Sequence, residues 1–259
     1  MIEINQLKKT YKKTSLLNRE RIVVLEDITF KVHNGDCLGI IGGSGNGKST
    51  LARIILNLET YDRGSITIDG IPHVTWLSKN PGRFNIIFQD YRTSVNPNWK
   101  IKKIMEESLY LCKILKGEYQ KNILQILEKV GLTKEVLDQY PHELSGGQLQ
   151  RVCIARALIT RSKYLILDEA ISSLDVVTQS QIIDLLIQLK NMFQLTYIFI
   201  SHDLRAVSTI CNRVIFLHEG KIIEEVECNQ LSEVKSDYAR TILQSALVFN
   251  SDFHNPKED

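Results

Sequence analysis

Residues Gly42-Gly43-Ser44-Gly45-Asn46-Gly47-Lys48-Ser49 fit the pattern G-x-x-x-x-G-K-[S/T], between an apolar run at Cys37–Ile41 and a helix-like stretch from Lys48 to Leu58. No other feature of the chain limits its fold as tightly. A buried strand must run into a glycine turn whose backbone wraps phosphate, and a helix must begin at the lysine. Lys48 would neutralise the β- and γ-phosphates of a bound nucleoside triphosphate, with Ser49 offering an oxygen to Mg²⁺ and Thr50 completing the loop.

A second run carries the same kind of chemistry. Leu144-Ser145-Gly146-Gly147-Gln148 places a hydroxyl and two glycines at an expected helix start, where backbone N–H groups can meet an anion. A chain with one phosphate loop has no use for a second unless it serves nucleotide held by another subunit. The two runs together point to a pair of ATPase domains closing face to face.

Composition excludes several competing classes. The formal net charge of +2 gives no broad basic field of the kind that binds nucleic acid. Cys37, Cys112, Cys153, Cys211 and Cys228 are odd in number and show no C-x-x-C spacing. They read as reduced thiols of a cytosolic protein, not as a disulfide frame or zinc site. Met1-Ile2-Glu3-Ile4 lacks the plan of a secretory signal, and no apolar run approaches the ~20 residues that cross a bilayer. Any membrane role would come through partners.

Strand-like and helix-like pieces alternate, which predicts an α/β fold with a largely parallel sheet. Strands are expected at Ile2–Leu7, Ile22–Val32, Cys37–Ile41, Ser65–Asp69, Phe84–Phe88, Tyr164–Leu167, Thr196–Ile200 and Arg213–Leu217. Helical spacing dominates from Ile101 to about Ala157, through Ile101, Met105, Leu109 and Cys112, then Ile123, Leu127 and Val130. That stretch reads as a helical subdomain inserted into the sheet domain. A helix over Asn229–Leu247 and a polar tail over Asn250–Asp259 close the chain, and Lys8, Lys9, Lys12 and Lys13 read as a solvated face.

Beside the phosphate loop, several polar residues at strand ends acquire a role. Tyr164-Leu165-Ile166-Leu167 is an apolar strand ending in Asp168 and Glu169. Asp168 would hold the Mg²⁺ shell and Glu169 would polarise the attacking water as general base. His202, past the strand at Ile200, could be an ordinary structural histidine or could hydrogen-bond the γ-phosphate. Gln89, past Phe88, could cap its strand or coordinate Mg²⁺ or water through its amide oxygen. Tyr11 could stack on adenine or simply pack.

Taken in order, these residues resemble the nucleotide-binding subunit of an ATP-binding cassette transporter over nearly the whole chain. Tyr11 matches the aromatic loop, Gly42–Thr50 the Walker A, Gln89 the Q-loop and Leu144–Gln148 the signature. Leu165–Glu169 matches the Walker B, Ser173-Leu174-Asp175 the D-loop and His202 the switch histidine. Phe88-Gln89-Asp90-Tyr91-Arg92-Thr93-Ser94-Val95-Asn96-Pro97 is similar to a stretch of the oligopeptide, dipeptide and nickel importer group. Leu149–Leu158 with Leu167–Ala170 is most similar to the second ATPase of nickel and metal–metallophore uptake systems.

The resemblance implies a P-loop NTPase fold with a RecA-like core (1–98 and 158–228), an N-terminal antiparallel β subdomain, an inserted α-helical subdomain (99–157) and a closing segment (229–259). It implies ATP and Mg²⁺ as ligands, and Asp175 linking the two sites of an ATPase pair. It further implies a second, unlike ATPase subunit, two permease subunits, an extracellular solute-binding protein and a place on the cytoplasmic face of the membrane. The implied cargo is nickel, cobalt, another metal chelate or short peptides; a soluble metabolic complex of the carbon–phosphorus lyase type is the alternative. The sequence departs from the family pattern at Ala170-Ile171, where Pro-Thr is usual, at Tyr91 in place of proline, and at Ser236-Asp237 before Tyr238, where His-Pro is usual.

Overall fold

The computed structural model describes residues 1–14 and 19–251. Along the chain, β1 (Ile2–Thr14) and β2 (Arg19–Val32) form an antiparallel pair, and β3 (Cys37–Ile41) leads into α1 (Lys48–Ile55). Strands β4 (Arg63–Ile68) and β5 (Ile71–Pro72), helix α2 (His73–Lys79) and β6 (Phe84–Ile87) follow. Then come α3 (Ile101–Leu111), α4 (Tyr119–Lys129) and α5 (Gly146–Leu158). The chain returns to strand at β7 (Tyr164–Asp168), followed by α6 (Val176–Phe193), β8 (Thr196–Ser201) and α7 (Leu204–Ile210). It ends with β9 (Arg213–His218), β10 (Lys221–Glu227) and α8 (Asp237–Ser251).

Two sheets result. A four-stranded antiparallel sheet has the order β2-β1-β4-β5, and a six-stranded sheet has the order β10-β9-β3-β8-β7-β6. In the larger sheet every pairing is parallel except β9 with β10. Every residue of β3, β7 and β8 is buried, as a parallel sheet covered on both faces requires. The period of two sends alternate side chains to different apolar clusters. Leu38, Ile40, Ile166 and Ile198 face the antiparallel sheet and α1, joining Ile4, Leu25 and Ile54. Ile41, Leu165, Leu167 and Phe199 join Ile104, Ile123 and Val152 of the helical stretch. Each such aliphatic side chain stabilises the fold by about 1.5–3 kcal/mol when fully buried. The strand ends carrying polar residues are thereby held by a rigid layer.

The structure corrects several expected bounds. β1 and β2 run further than Ile2–Leu7 and Ile22–Val32, because register shifts around Leu7, Lys9 and Thr10 interrupt the alternation without ending the pairing. Lys9 is not part of a solvated face: it is buried, 3.0 Å from Glu59 and donating to Thr60 O. α1 stops at Ile55, since Asn57 turns to φ +56°. Cys112 is the C-cap of α3 and not a further helical turn. The closing segment is a 3₁₀ turn at Cys228–Glu233 followed by α8, not one helix. Of the expected polar tail, residues 250 and 251 belong to α8 and 252–259 lie outside the described residues.

Candidate nucleotide-binding site

The glycine loop leaves β3 at the C-terminal edge of the parallel sheet and ends where α1 begins. Gly47, the N-cap of α1, has φ +95°, and a Cβ there would stand 2.7 Å from Val24 O. Both its backbone angle and the space around it therefore require glycine. Lys48 Nζ donates to Gly42 O at 2.7 Å and Gly43 O at 2.9 Å, folding the loop around the ammonium. Burial lowers the Lys48 pKa, while the Glu169 and Asp168 carboxylates work in the opposite direction. Asn46 turns away from the loop interior: its Nδ2 donates to Leu217 O and Tyr238 Oη, and its Oδ1 accepts from Glu219 N.

The carboxylates arrive from the neighbouring strands. Asp168 closes β7, is 9% exposed, and its Oδ1 accepts from Ser49 Oγ at 3.3 Å. Burial raises its pKa, with the Ser49 hydrogen bond opposing. Glu169 follows at φ +48°, its N–H held by Ile200 O at 2.9 Å. Its Oε2 lies 3.4 Å from Nδ1 of His202, which stands just past β8. Gln89 stands past β6, and its carbonyl accepts from Ser173 Oγ at 3.4 Å.

These elements enclose a cleft of about 430 Å³ lined by Val24, Ser44, Gly45, Gly47, Lys48, Ser49, Thr50, Gln89, Glu169 and His202. Five segments far apart in sequence thus meet where a triphosphate would lie. Gly42 and Gly43 support the loop through the lysine, and Asp168 stands behind Ser49. Tyr11, in β1 with the Lys9 ammonium 5.0 Å from its ring centre, does not line this cleft. Val24 does, although no sequence signal marks it: a valine in a strand reads as packing.

The Ser145 run forms a different structure. Ser145 caps α5, its Oγ accepting from Gln148 N at 3.2 Å while Gln148 Oε1 accepts from Ser145 N at 2.9 Å. This reciprocal capping box leaves the Gly146 and Gly147 N–H groups without partners among the described residues. A Cβ on Gly146 would meet Tyr91 Oη at 2.7 Å, and one on Gly147 would meet Thr178 at 2.9 Å. Leu144 packs on the apolar cluster, and none of the five residues Leu144–Gln148 lines the cleft. Asp175 caps α6, accepting from Thr178 N at 2.9 Å and from Thr178 Oγ1 at 2.6 Å.

The oxygen donors Ser49, Asp168 and Gln89 suit magnesium, a hard cation that binds one or two protein ligands plus substrate phosphates. Among the described residues there is no cluster of three or more His, Cys, Asp or Glu able to hold a metal alone. The oxygen donors present fit a magnesium brought in with the nucleotide. Among the described residues no helix is long and apolar enough to cross a membrane.

The chain matches the ABC transporter family over residues 25–172. It is 38% identical over 251 residues to the metal-staphylopine import system ATP-binding protein CntF of Staphylococcus aureus, covering 96% of this chain and 100% of that protein. It is 39% identical over 246 residues to the nickel import ATP-binding protein NikE of Rhodospirillum rubrum, covering 92% and 88%. Its fold is similar to the dimeric post-hydrolysis structure of the ATP-binding cassette MJ0796 bound to ADP and Pi. There the TM-score is 0.76 at 27% identity, over 88% of this chain and 99% of the other. This chain belongs to the ABC transporter family, as an ATP-binding cassette.

Proposed function

We propose that this chain is the ATP-hydrolysing subunit of an importer for nickel, cobalt or another metal–chelate complex. One observation carries the reading: of the two glycine runs, the Gly42–Thr50 loop lines the cleft with Glu169 and His202, and Leu144–Gln148 does not. The exposed start of α5 is then left for the nucleotide of a second ATPase subunit. The dimeric state of the MJ0796 structure supports that arrangement, and the metal-import names of the relatives support the cargo. The same names favour an importer over a soluble metabolic complex.

In this reading the glycine loop cradles the phosphates of ATP, Lys48 moves its charge onto the β- and γ-oxygens, and Tyr11 stacks against adenine. Ser49, Gln89 and Asp168 hold magnesium, which when bound neutralises charge developing on the phosphates. Glu169 takes the proton of the attacking water, and His202 hydrogen-bonds the γ-phosphate. Ser145 and the Gly146 and Gly147 N–H groups cap the partner's ATP, so that nucleotide joins the two subunits. Asp175 links the sites across the interface. The helical subdomain, residues 99–157, and the loop Gln89–Pro97 carry the movement to two permease subunits at the cytoplasmic face, supplied by an extracellular solute-binding protein.

The enzymatic half is tested by Glu169→Gln in the assembled importer: ATP still binds and turnover falls by about 10²–10⁴-fold. Undiminished turnover would remove Glu169 from the role. The cargo is tested by metal accumulation in a strain lacking the gene. Loss of nickel, cobalt or zinc uptake supports the reading; unchanged metal uptake with lost short-peptide uptake would replace it.

A further inference from the structure

The C-terminal helix reaches the phosphate loop through one hydroxyl. Tyr238, in the first turn of α8, accepts hydrogen bonds from Gly43 N at 3.0 Å and Asn46 Nδ2 at 3.1 Å. Its ring stacks on His218 at the end of β9, centroids 4.0 Å apart and 25° from parallel. Asn46 is held in turn by Leu217 O and Glu219 N on the same strand and turn. The helix itself is seated from below: Glu224 of β10 accepts from Lys235 N at 2.8 Å and Ser236 N at 2.9 Å, and Ala239 is fully buried. A continuous chain of contacts therefore runs from β10 through the start of α8 to the turn Gly43–Asn46.

The placement has a chemical consequence. Both faces of the Gly43 residue are held, its N–H by Tyr238 Oη and its carbonyl by Lys48 Nζ at 2.9 Å. When Lys48 transfers its charge to a phosphate, that carbonyl keeps only the longer bond from Asn46 N at 3.4 Å, while the N–H keeps its bond to Tyr238. We propose that Tyr238 is a positioning residue of the ATP site: its hydroxyl keeps the Gly43–Asn46 turn in shape while Lys48 exchanges partners, making α8 a determinant of ATP affinity. The inference rests on Gly42–Thr50 being the ATP site.

Tyr238→Phe removes the hydroxyl and keeps the ring on His218, so it separates loop positioning from helix anchoring. The expected result is an ATP Kd raised about tenfold, the worth of two modest hydrogen bonds, with kcat of the assembled importer at saturating ATP within about twofold of the parent. In a double-mutant cycle with Asn46→Ser, the penalty of Tyr238→Phe shrinks, because one of its two donors is already gone. A merely structural tyrosine would lower the melting temperature and leave Kd unchanged. Equal Kd values in parent and variant, or an equal penalty in both backgrounds, overturn the inference. A second measurement needs no variant: the Gly43 amide of the parent exchanges slowly with solvent, and exchange at the unprotected rate overturns it. A parent that binds no ATP would overturn the underlying site reading, and the inference with it.

Discussion

His202 Nδ1 lies 3.4 Å from Glu169 Oε2, although the two residues arrive on different strands. Asp168 pairs with Ile200 in the parallel register of β7 and β8, so each residue projects from the same edge of the sheet one or two positions later. The sheet, not the side chains, sets the distance. His202 is 62% exposed at its side chain against 20% for Glu169, which leaves the imidazole as the part open to a ligand. His202→Ala should therefore leave ATP binding nearly intact and cut turnover by about 10²-fold, the usual cost of losing one donor aimed at developing charge. Single-turnover hydrolysis beside nucleotide titration checks this, and a variant that loses binding in proportion to turnover would assign His202 to ground-state affinity instead.

How much of this site could be read from the sequence depended on how local each relationship is. The strand–loop–helix at Cys37–Ile55 and the Asp168-Glu169 strand end are contiguous signals, because glycine, lysine and carboxylate must stand within a few residues of one another. Tyr238 was legible only as part of a resemblance: its donor Asn46 is 192 residues away, and no periodicity connects them. Lys9 was misread for a related reason. It lies among other lysines, and only the fold brings Glu59 and Thr60 to its ammonium. β10 alternates half-buried and exposed residues but is rich in glutamate, which weakens the strand signal. Once its neighbour β9 is in place, the antiparallel pairing supplies what propensity does not.

Gln150 is a fully buried amide inside α5, and its Nε2 donates to Ala170 O at 2.6 Å. It thereby fastens the capped helix of the Ser145 run to the loop that carries Glu169, where the backbone stands at positive φ. Gln150→Met conserves most of the volume but strands the Ala170 carbonyl. Stability should fall by about 1–3 kcal/mol, partly offset because the Gln150 Oε1 already lacks a partner. Urea denaturation measures it, and an unchanged midpoint would show that Ala170 finds another donor.

Asp69 predicts an acid dependence of stability. Burial pushes its carboxyl up, but hydrogen bonds from Lys163 at 2.8 Å, the Met1 ammonium at 2.6 Å and the Tyr164 hydroxyl at 2.9 Å together outweigh burial and hold it well below the usual carboxylate range. A depressed folded-state pKa contributes stability that is complete above the unfolded value, about 4, and is lost as pH falls towards the folded one. Asp69→Asn should therefore be less stable than the parent at pH 7, and the difference should narrow steadily below pH about 4. Denaturation midpoints of both proteins across that range check the sign; a gap that widens on acidification would contradict the assignment.

The cysteines give a pH dependence of the opposite kind. Cys37, Cys153 and Cys211 are buried, and burial pushes the thiols of Cys153 and Cys211 above their ordinary range. Cys228 is only half-buried, yet burial, with smaller contributions from Cys37 and Glu227, pushes it to about 11. Only the thiolate alkylates, so at pH 8 roughly one Cys228 in a thousand carries the reactive form. Native protein should resist iodoacetamide at pH 8 for times in which the unfolded chain is fully labelled. Labelling of Cys228, followed by mass spectrometry, should rise about tenfold per pH unit up to its pKa, while Cys153 and Cys211 stay protected until the fold opens. Rapid native labelling of Cys211 at pH 8 would show that the end of α7 opens far more readily than its burial implies.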